Sequence, residues 1–195
     1  MGADLAGGND AVALLGNTLA TAAILVVLIA VLGPISGAHF NPAVSMVFVL
    51  RRELTVTAFA AYVVAQVAGC VAGTWTAHLM FDLPVWQLSG HARQGFGQFL
   101  AEAIATFGLI ATILGCRRAR PDLVPVAVAL FIAAGYWFTA STSFANPAIT
   151  LARSLTDSFA GIRPLDAPWF VLAQILGALL SMAAMRWLLA ASAKP

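Results

Sequence analysis

One pattern of residues occurs twice in this chain of 195 residues, and it constrains the fold more than any other feature. In each copy an apolar stretch leads to an Asn-Pro-Ala tripeptide, and a second apolar stretch carrying Ala-Gln-x-x-Gly follows. The tripeptides are Asn41-Pro42-Ala43 and Asn146-Pro147-Ala148. Such a tripeptide is expected about 0.03 times in a chain of this length at average residue usage, so two copies in matching contexts indicate an internal repeat.

Five stretches are long and apolar enough to cross a membrane as helices, which takes about 20 residues. The chain is 61% hydrophobic and only 9% charged, with a mean hydropathy of +0.91. The predicted spans are Ala11–Leu32, Leu54–Met80, Phe96–Cys116, Leu123–Thr142 and Trp169–Leu189. The sequence therefore predicts an all-α membrane protein that lies in a lipid bilayer.

Charged residues set the predicted orientation, because cytoplasmic loops are enriched in Lys and Arg. Placing Arg117 and its neighbours inside puts seven basic residues on the cytoplasmic side and three outside, with Met1 outside. The seven are Arg51, Arg52, Arg117, Arg118, Arg120, Arg186 and Lys194, and the three are Arg93, Arg153 and Arg163. The two repeat units then cross the membrane in opposite directions, which makes the repeat an inverted one.

Each Asn-Pro pair predicts the start of a short helix. Asn offers a side chain that caps the helix, and Pro suits the first helical position because its missing N–H costs nothing there. The segments Pro42–Leu50 and Pro147–Leu155 can each make about two turns. Entering from opposite faces, they would meet near the midplane, where irregular backbone is tolerated only if it lines a cavity or is buried in protein. The pattern predicts a pore between two re-entrant half-helices.

Ser36 to Val44 and the two Ala-Gln-x-x-Gly elements resemble the aquaporin (major intrinsic protein) family, and the resemblance extends from Ala11 to Leu189. It implies a bundle of helices around a narrow pore, assembled as a homotetramer. It also implies that Asn41 and Asn146 donate hydrogen bonds to a passing solute, and that Glu102 braces the backbone of a re-entrant loop.

The residue after the second tripeptide departs from the family pattern. Many members have Arg there, and this chain has Ile149, with Arg153 one helical turn further on. Spacing from the motifs places the other constriction positions at Thr21, Ala134 and Ser143. Since all four residues are small or apolar, we expect a wide filter that passes small neutral solutes. This resembles the aquaglyceroporins associated with arsenic resistance in bacteria, and the candidate solutes are glycerol, urea and arsenite or methylated arsenicals.

The number of spans is a second departure. We expect one channel domain over residues 1–195, with repeat one at 1–80 and repeat two at 96–189. Repeat one then lacks its first span, so five of six spans are present and the chain is expected to be truncated at its N-terminus. A non-conducting truncated subunit and a water-selective channel are the alternatives to a wide solute channel.

Other classes of protein fit the sequence poorly. A net charge of +2 offers no basic surface for nucleic acid. A secondary transporter needs ionisable ligands in the membrane, and Glu102 is the one intramembrane carboxylate that supports this class. An enzyme is not expected, because His39, His78 and His91 lie on separate segments without a paired acid or nucleophile. No cofactor and no metal site are predicted, and His39 is expected to pack in the loop or line the pore.

Overall fold

The computed structural model describes residues 5–191, and its regular structure there is entirely helical. In chain order the α-helices are α1 (Asp10–Ser36), α2 (Pro42–Leu50), α3 (Val56–Met80), α4 (Phe96–Ala119), α5 (Val124–Phe138), α6 (Pro147–Arg153) and α7 (Ala167–Ala191). A 3-10 turn at Pro121–Leu123 leads into α5. The predicted positions of Met1 and Lys194 lie outside the described residues.

Five of these helices are long and apolar enough to cross a membrane, as predicted: α1, α3, α4, α5 with its 3-10 turn, and α7. The short helices α2 and α6 are the two predicted half-helices. This is the fold class that the sequence indicates, with the order span, half-helix, span in each repeat.

Five predicted C-terminal helix ends differ from the structure by two to four residues, and three of them have a local explanation. The first span continues past Leu32 and through Pro34, and ends where Gly37 adopts a left-handed φ of 75° and its N–H bonds to the carbonyl of Gly33. The fourth span ends at Phe138 rather than Thr142, because the next residue, Thr139, has extended backbone.

The second half-helix ends at Arg153 rather than Leu155. The N–H of Ser154 bonds to the carbonyl of Leu151 at 3.1 Å, three residues back, so the last turn tightens and the helix stops.

The tightest helix packing lies in repeat two, between α4 and α7. Gly177 on α7 faces the carbonyl of Ala103 on α4 so closely that a Cβ atom at Gly177 would clash with it. In contrast, α1 and α3 expose most of their apolar side chains, such as Leu19, Val31 and Val64. In a membrane such faces are covered by lipid hydrocarbon or by other membrane helices.

Candidate functional site

A cavity of about 660 Å³ runs between α1, α5 and the two half-helices. Arg117 and Asp122 line it at one end, which we name the Arg117 mouth. Arg153 lines it at the opposite end, which we name the Arg153 mouth, and Asn41 and Asn146 lie between the two mouths. Apart from these residues the wall is mostly apolar, so the cavity has few polar groups, and they are concentrated at its centre and ends.

The two Asn side chains cap their own half-helices, as the sequence predicts. The Oδ1 atom of Asn41 accepts the N–H of Ala43 at 2.9 Å, and that of Asn146 accepts the N–H of Ala148 at 3.0 Å. Each half-helix is thereby stabilised at its N-terminus by a side chain that lines the cavity.

The same two side chains also join the repeats to each other. Nδ2 of Asn41 donates to the carbonyl of Ala145 at 2.7 Å, and Nδ2 of Asn146 donates to the carbonyl of Phe40 at 2.8 Å. Since a carboxamide nitrogen carries two hydrogens, each Asn keeps a second N–H for another acceptor. The family resemblance implied donation to a solute, and it did not reveal that the first N–H of each Asn is used between the loops.

The loop before each Asn has an unusual backbone that the sequence did not reveal. Ala38 and Phe40 in repeat one have φ values of 48° and 47°, and Ser143 and Ala145 in repeat two both have 47°. With Gly37 at 75° and Thr142 at 59°, left-handed residues stand four, three and one positions before each Asn. Residues without glycine's freedom adopt this conformation only where their surroundings enforce it, and the carbonyls of Phe40 and Ala145 are the ones that accept the Asn hydrogen bonds.

Glu102 is fully buried and holds the second loop, as the family resemblance implies. Its Oε1 atom accepts the N–H of Phe144 at 2.8 Å, and its Oε2 atom accepts the N–H of Ala145 at 2.9 Å and Nε2 of Gln174 at 2.6 Å. The same Nε2 also donates to Oγ1 of Thr150 at 2.9 Å. The carboxylate therefore ties α4, the loop and α7 together.

Repeat one has a related network built from different partners. Gln66 occupies the position of Gln174, and its Nε2 atom donates to Oγ of Ser45, the counterpart of Thr150, at 3.0 Å. Nδ1 of His39 lies 3.1 Å from the same hydroxyl, and its ring lies 4.3 Å from that of Phe48. His39 therefore both packs within its loop and lines the cavity, as the sequence predicts.

Three of the four predicted constriction residues line the cavity: Thr21, Ser143 and Ile149. Ser143 is the most informative of them, because its Oγ atom is buried and has no hydrogen-bond partner in the described part of the chain. Gly135 makes room for this side chain, since a Cβ atom there would lie 2.6 Å from the Ser143 hydroxyl oxygen.

The structure places the fourth predicted residue, Ala134, on an exposed face of α5, outside the cavity wall. The wall is formed instead by Val128, Ile132 and Tyr136, which are four residues apart and so share one face of the helix. A shift of two residues turns a helix by about 200°, so the register inferred from motif spacing was wrong. A spacing of four residues between the larger side chains of α5 is the sequence signal that could have identified the face lining the cavity.

Two arginines in the wall were not predicted to have a role, and each is stacked on a phenylalanine. The guanidinium carbon of Arg117 lies 4.5 Å from the ring centre of Phe48, and that of Arg153 lies 4.2 Å from the ring centre of Phe144. Since the paired residues are nine or more positions apart in the chain, no local sequence pattern indicates either contact.

The loops outside the membrane at the Arg153 mouth hold their charges in place. Burial, and secondarily the nearby charge of Arg153, lower the pKa of Arg93 to about 10. Burial also opposes ionisation of Asp166, but hydrogen bonds from Arg163 and from the backbone N–H of Arg93 outweigh it and hold the pKa of this carboxyl below its usual range. At neutral pH both groups are therefore charged, and they fix the loop between α3 and α4 against the start of α7.

The described residues contain no group of three or more His, Cys, Asp or Glu side chains placed to hold a metal ion. The ionisable groups that line the cavity are instead dispersed, with His39 in the first loop, Arg117 and Asp122 at one mouth and Arg153 at the other. Such an arrangement can hydrogen-bond and orient a small solute, but it offers no paired acid and base.

Comparison with known proteins agrees with this arrangement. The model of the major intrinsic protein family matches residues 1–140. The chain belongs to this family. It is therefore a multi-pass channel protein of the cell membrane that passes small uncharged solutes, and not an enzyme.

Relatives within the family differ in how much of the chain they match. Aquaglyceroporin AqpS of Rhizobium meliloti (strain 1021) is 60% identical over 187 residues, which cover 96% of this chain and 80% of that protein. Aquaporin PIP2-7 of Arabidopsis thaliana is 30% identical over 202 residues, covering 96% of this chain and 72% of the relative. Nodulin-26 of Glycine max is 39% identical over 94 residues, covering 47% of this chain and 35% of the relative.

Proposed function

We propose that the cavity is a wide, weakly polar pore for glycerol and for neutral hydroxylated solutes of similar size, including arsenite as As(OH)3, methylated arsenicals and urea. The observation that carries this proposal is Ile149, which lies in the wall one turn beyond Asn146, where many family members have a charged Arg. The similarity to a protein named an aquaglyceroporin supports the same solute class.

Hydrogen-bond donors near the centre account for the preference for hydroxylated solutes. A solute that enters the pore loses hydrogen bonds to water, and the pore must replace some of them. The second N–H of Asn41 and the second N–H of Asn146 are available for this purpose. The apolar side chains of Ile132 and Ile149 face the carbon skeleton of the solute.

The two half-helices also oppose the passage of cations. Both begin at the centre of the cavity with their N-termini facing each other, and the N-terminus of a helix carries positive partial charge. A neutral solute pays no such electrostatic penalty, so the arrangement favours uncharged molecules.

Solute entry into proteoliposomes tests the proposal directly. We expect I149R to reduce glycerol and arsenite entry by about tenfold or more, because a guanidinium would occupy and charge the constriction, while water flow falls much less. I149L is the matched control, because it keeps an apolar side chain of the same volume, and its fluxes should stay within about twofold of the original chain. The measurement is stopped-flow light scattering.

Equal losses of water, glycerol and arsenite flux in I149R would contradict the wide-filter proposal. Water flow without glycerol entry in the original chain would favour the water-selective alternative. No flux of any solute above that of empty liposomes would favour the non-conducting subunit.

We also propose that the predicted repeats, 1–80 and 96–189, form a single channel domain, with Thr21, Ser143 and Ile149 as its filter and Ile132 or Tyr136 in place of Ala134. Homotetramer formation is proposed on the family resemblance and on the exposed apolar faces of α1 and α3. Mass measurement in nanodiscs tests it, since a monomeric mass would contradict it.

A further inference from the structure

The two arginine stacks occupy corresponding places in the inverted repeat. Phe48 stands seven residues after Asn41, and Arg153 stands seven residues after Asn146. Each of these residues pairs with a partner from outside its own half-helix: Phe48 with Arg117, and Arg153 with Phe144. The same repeat position thus contributes the ring at one mouth and the guanidinium at the other.

Helix geometry places both positions at the ends of the pore. Seven residues make about two turns and about 10 Å of rise, and they return to nearly the same face of the helix. Because Asn41 and Asn146 lie at the centre of the cavity, the two stacks lie near its mouths and on its wall. Arg117 and Arg153 both line the cavity, so their charges face the path of the solute.

The charges of the two arginines are neutralised to different degrees. Nη1 of Arg117 lies 2.7 Å from Oε2 of Glu53, which also pairs with Arg51. Arg153 has no ion pair and no side-chain hydrogen bond within residues 5–191. The charge nearest to it in the stack is another cation, Arg93, whose guanidinium carbon lies 5.0 Å from the centre of the same Phe144 ring.

Arg93 is in turn committed to the backbone. Its guanidinium donates to the carbonyls of Gly161, Ser141 and Phe159 at 2.8, 3.2 and 3.4 Å. It therefore stays at the outer side of the ring and adds positive potential there, while Arg153 faces the cavity. Within residues 5–191 Arg153 thus has no carboxylate partner of its own, whereas Arg117 shares the charge of Glu53 with Arg51.

We propose that Arg153 is a specificity-determining residue that excludes cations from the pore, and that Arg117 makes a smaller contribution of the same kind. The exclusion is thereby moved outward from position 149: Ile149 leaves the narrow section apolar, and Arg153, which follows it by one turn or about 6 Å of helix rise, repels protons and metal cations. The inference rests on the proposed function as a channel for neutral solutes.

Proton and potassium leakage in proteoliposomes tests this role. With a membrane potential imposed, a trapped pH-sensitive dye reports proton entry, and glycerol entry is measured on the same preparations. We expect R153Q to raise proton and potassium flux by about tenfold or more, and to leave glycerol entry within about twofold. R153K keeps the charge and should resemble the original chain.

Two further variants compare the mouths. R117Q should raise the cation flux less than R153Q does, because Glu53 already offsets its charge. R118A is the matched control, since Arg118 is exposed and lies outside the cavity wall, and it should change neither flux.

Cation flux that stays at the original level in R153Q, with glycerol entry retained, would overturn the inference and leave the proposed function intact. Absence of glycerol entry in the original chain would instead overturn the proposed function. An increased cation flux in R153Q would still show that Arg153 excludes cations. If R153Q does not reconstitute, the arginine reagent phenylglyoxal replaces it: it should raise proton flux more in the original chain than in R153K, in which only Arg117 remains to be modified in the cavity wall. Equal effects on both would overturn the inference.

Discussion

Replacing Glu102 with Gln tests how much the second re-entrant loop depends on one buried carboxylate. The change keeps the shape of the side chain and removes its charge. The donors that converge on the carboxylate include the N–H groups of Phe144 and Ala145 and Nε2 of Gln174. A glutamine offers one oxygen and one NH2 group, so in either orientation at least one donor faces another donor.

The expected loss of stability follows from that mismatch. A hydrogen bond to a charged group contributes about 1.5–3 kcal/mol, and a buried N–H left without an acceptor costs about 1–3 kcal/mol. Part of this loss is offset, because E102Q also removes the desolvation penalty of a buried charge. We therefore expect E102Q to lower the free energy of unfolding by about 2–4 kcal/mol, and to reduce glycerol flux because the loop that carries Asn146 is displaced.

Unfolding by SDS in mixed micelles, followed by tryptophan fluorescence, measures this loss. E53Q is the matched control, because it makes the same chemical change at a carboxylate whose side chain is 31% exposed. Ion pairs at such sites contribute about 0–1 kcal/mol. An E102Q loss no larger than that of E53Q would refute the reasoning, since the loop would then hold its shape without the carboxylate.

Two more predictions concern the helix packing and the outer loops. G177A should destabilise the protein by about 2 kcal/mol or more in the same unfolding assay, because the new methyl group meets the Ala103 carbonyl. G69A, at the matching repeat position with open space around it, should be neutral or slightly stabilising. Equal effects of the two substitutions would contradict the packing argument. Because the pKa of Asp166 is lower in the folded protein than in the unfolded chain, its stabilising effect should be complete above about pH 4 and be lost as the pH falls further. The gap in Tm between the original chain and D166N should therefore shrink below about pH 4, and a gap that is constant down to pH 3 would contradict this account.

Much of the architecture could be predicted from the sequence because strong local signals carry it. Length and apolarity determine the spans, and the Asn-Pro pairs determine where α2 and α6 begin. The second tripeptide showed that the two halves are related as an inverted repeat. Such a repeat brings equivalent residues of both halves together at the centre of the pore. Glu102 was identifiable because a carboxylate within an apolar span is costly unless it is partnered.

The wall of the cavity could not be predicted with the same accuracy. In a membrane helix both the lipid-facing and the buried sides are apolar, so the pattern along α5 does not indicate which face meets the pore. By residue type, Ala134, Ile132 and Tyr136 could each face either the lipid or the pore. The arginine stacks were missed for another reason: Arg117 and Phe48 come from different helices, 69 positions apart, and only the tertiary fold brings the two side chains together.

The hydrogen bonds that cross between the two Asn loops have a consequence for synthesis of the chain. Asn41 emerges from the ribosome 104 residues before Ala145, whose carbonyl accepts its amide hydrogen. Until that residue has been made and inserted, the first loop lacks the acceptor that its Asn uses in the finished protein. The centre of the pore is thus completed only after α1 to α5 have been translated, and the half-helix made first depends on the one made last.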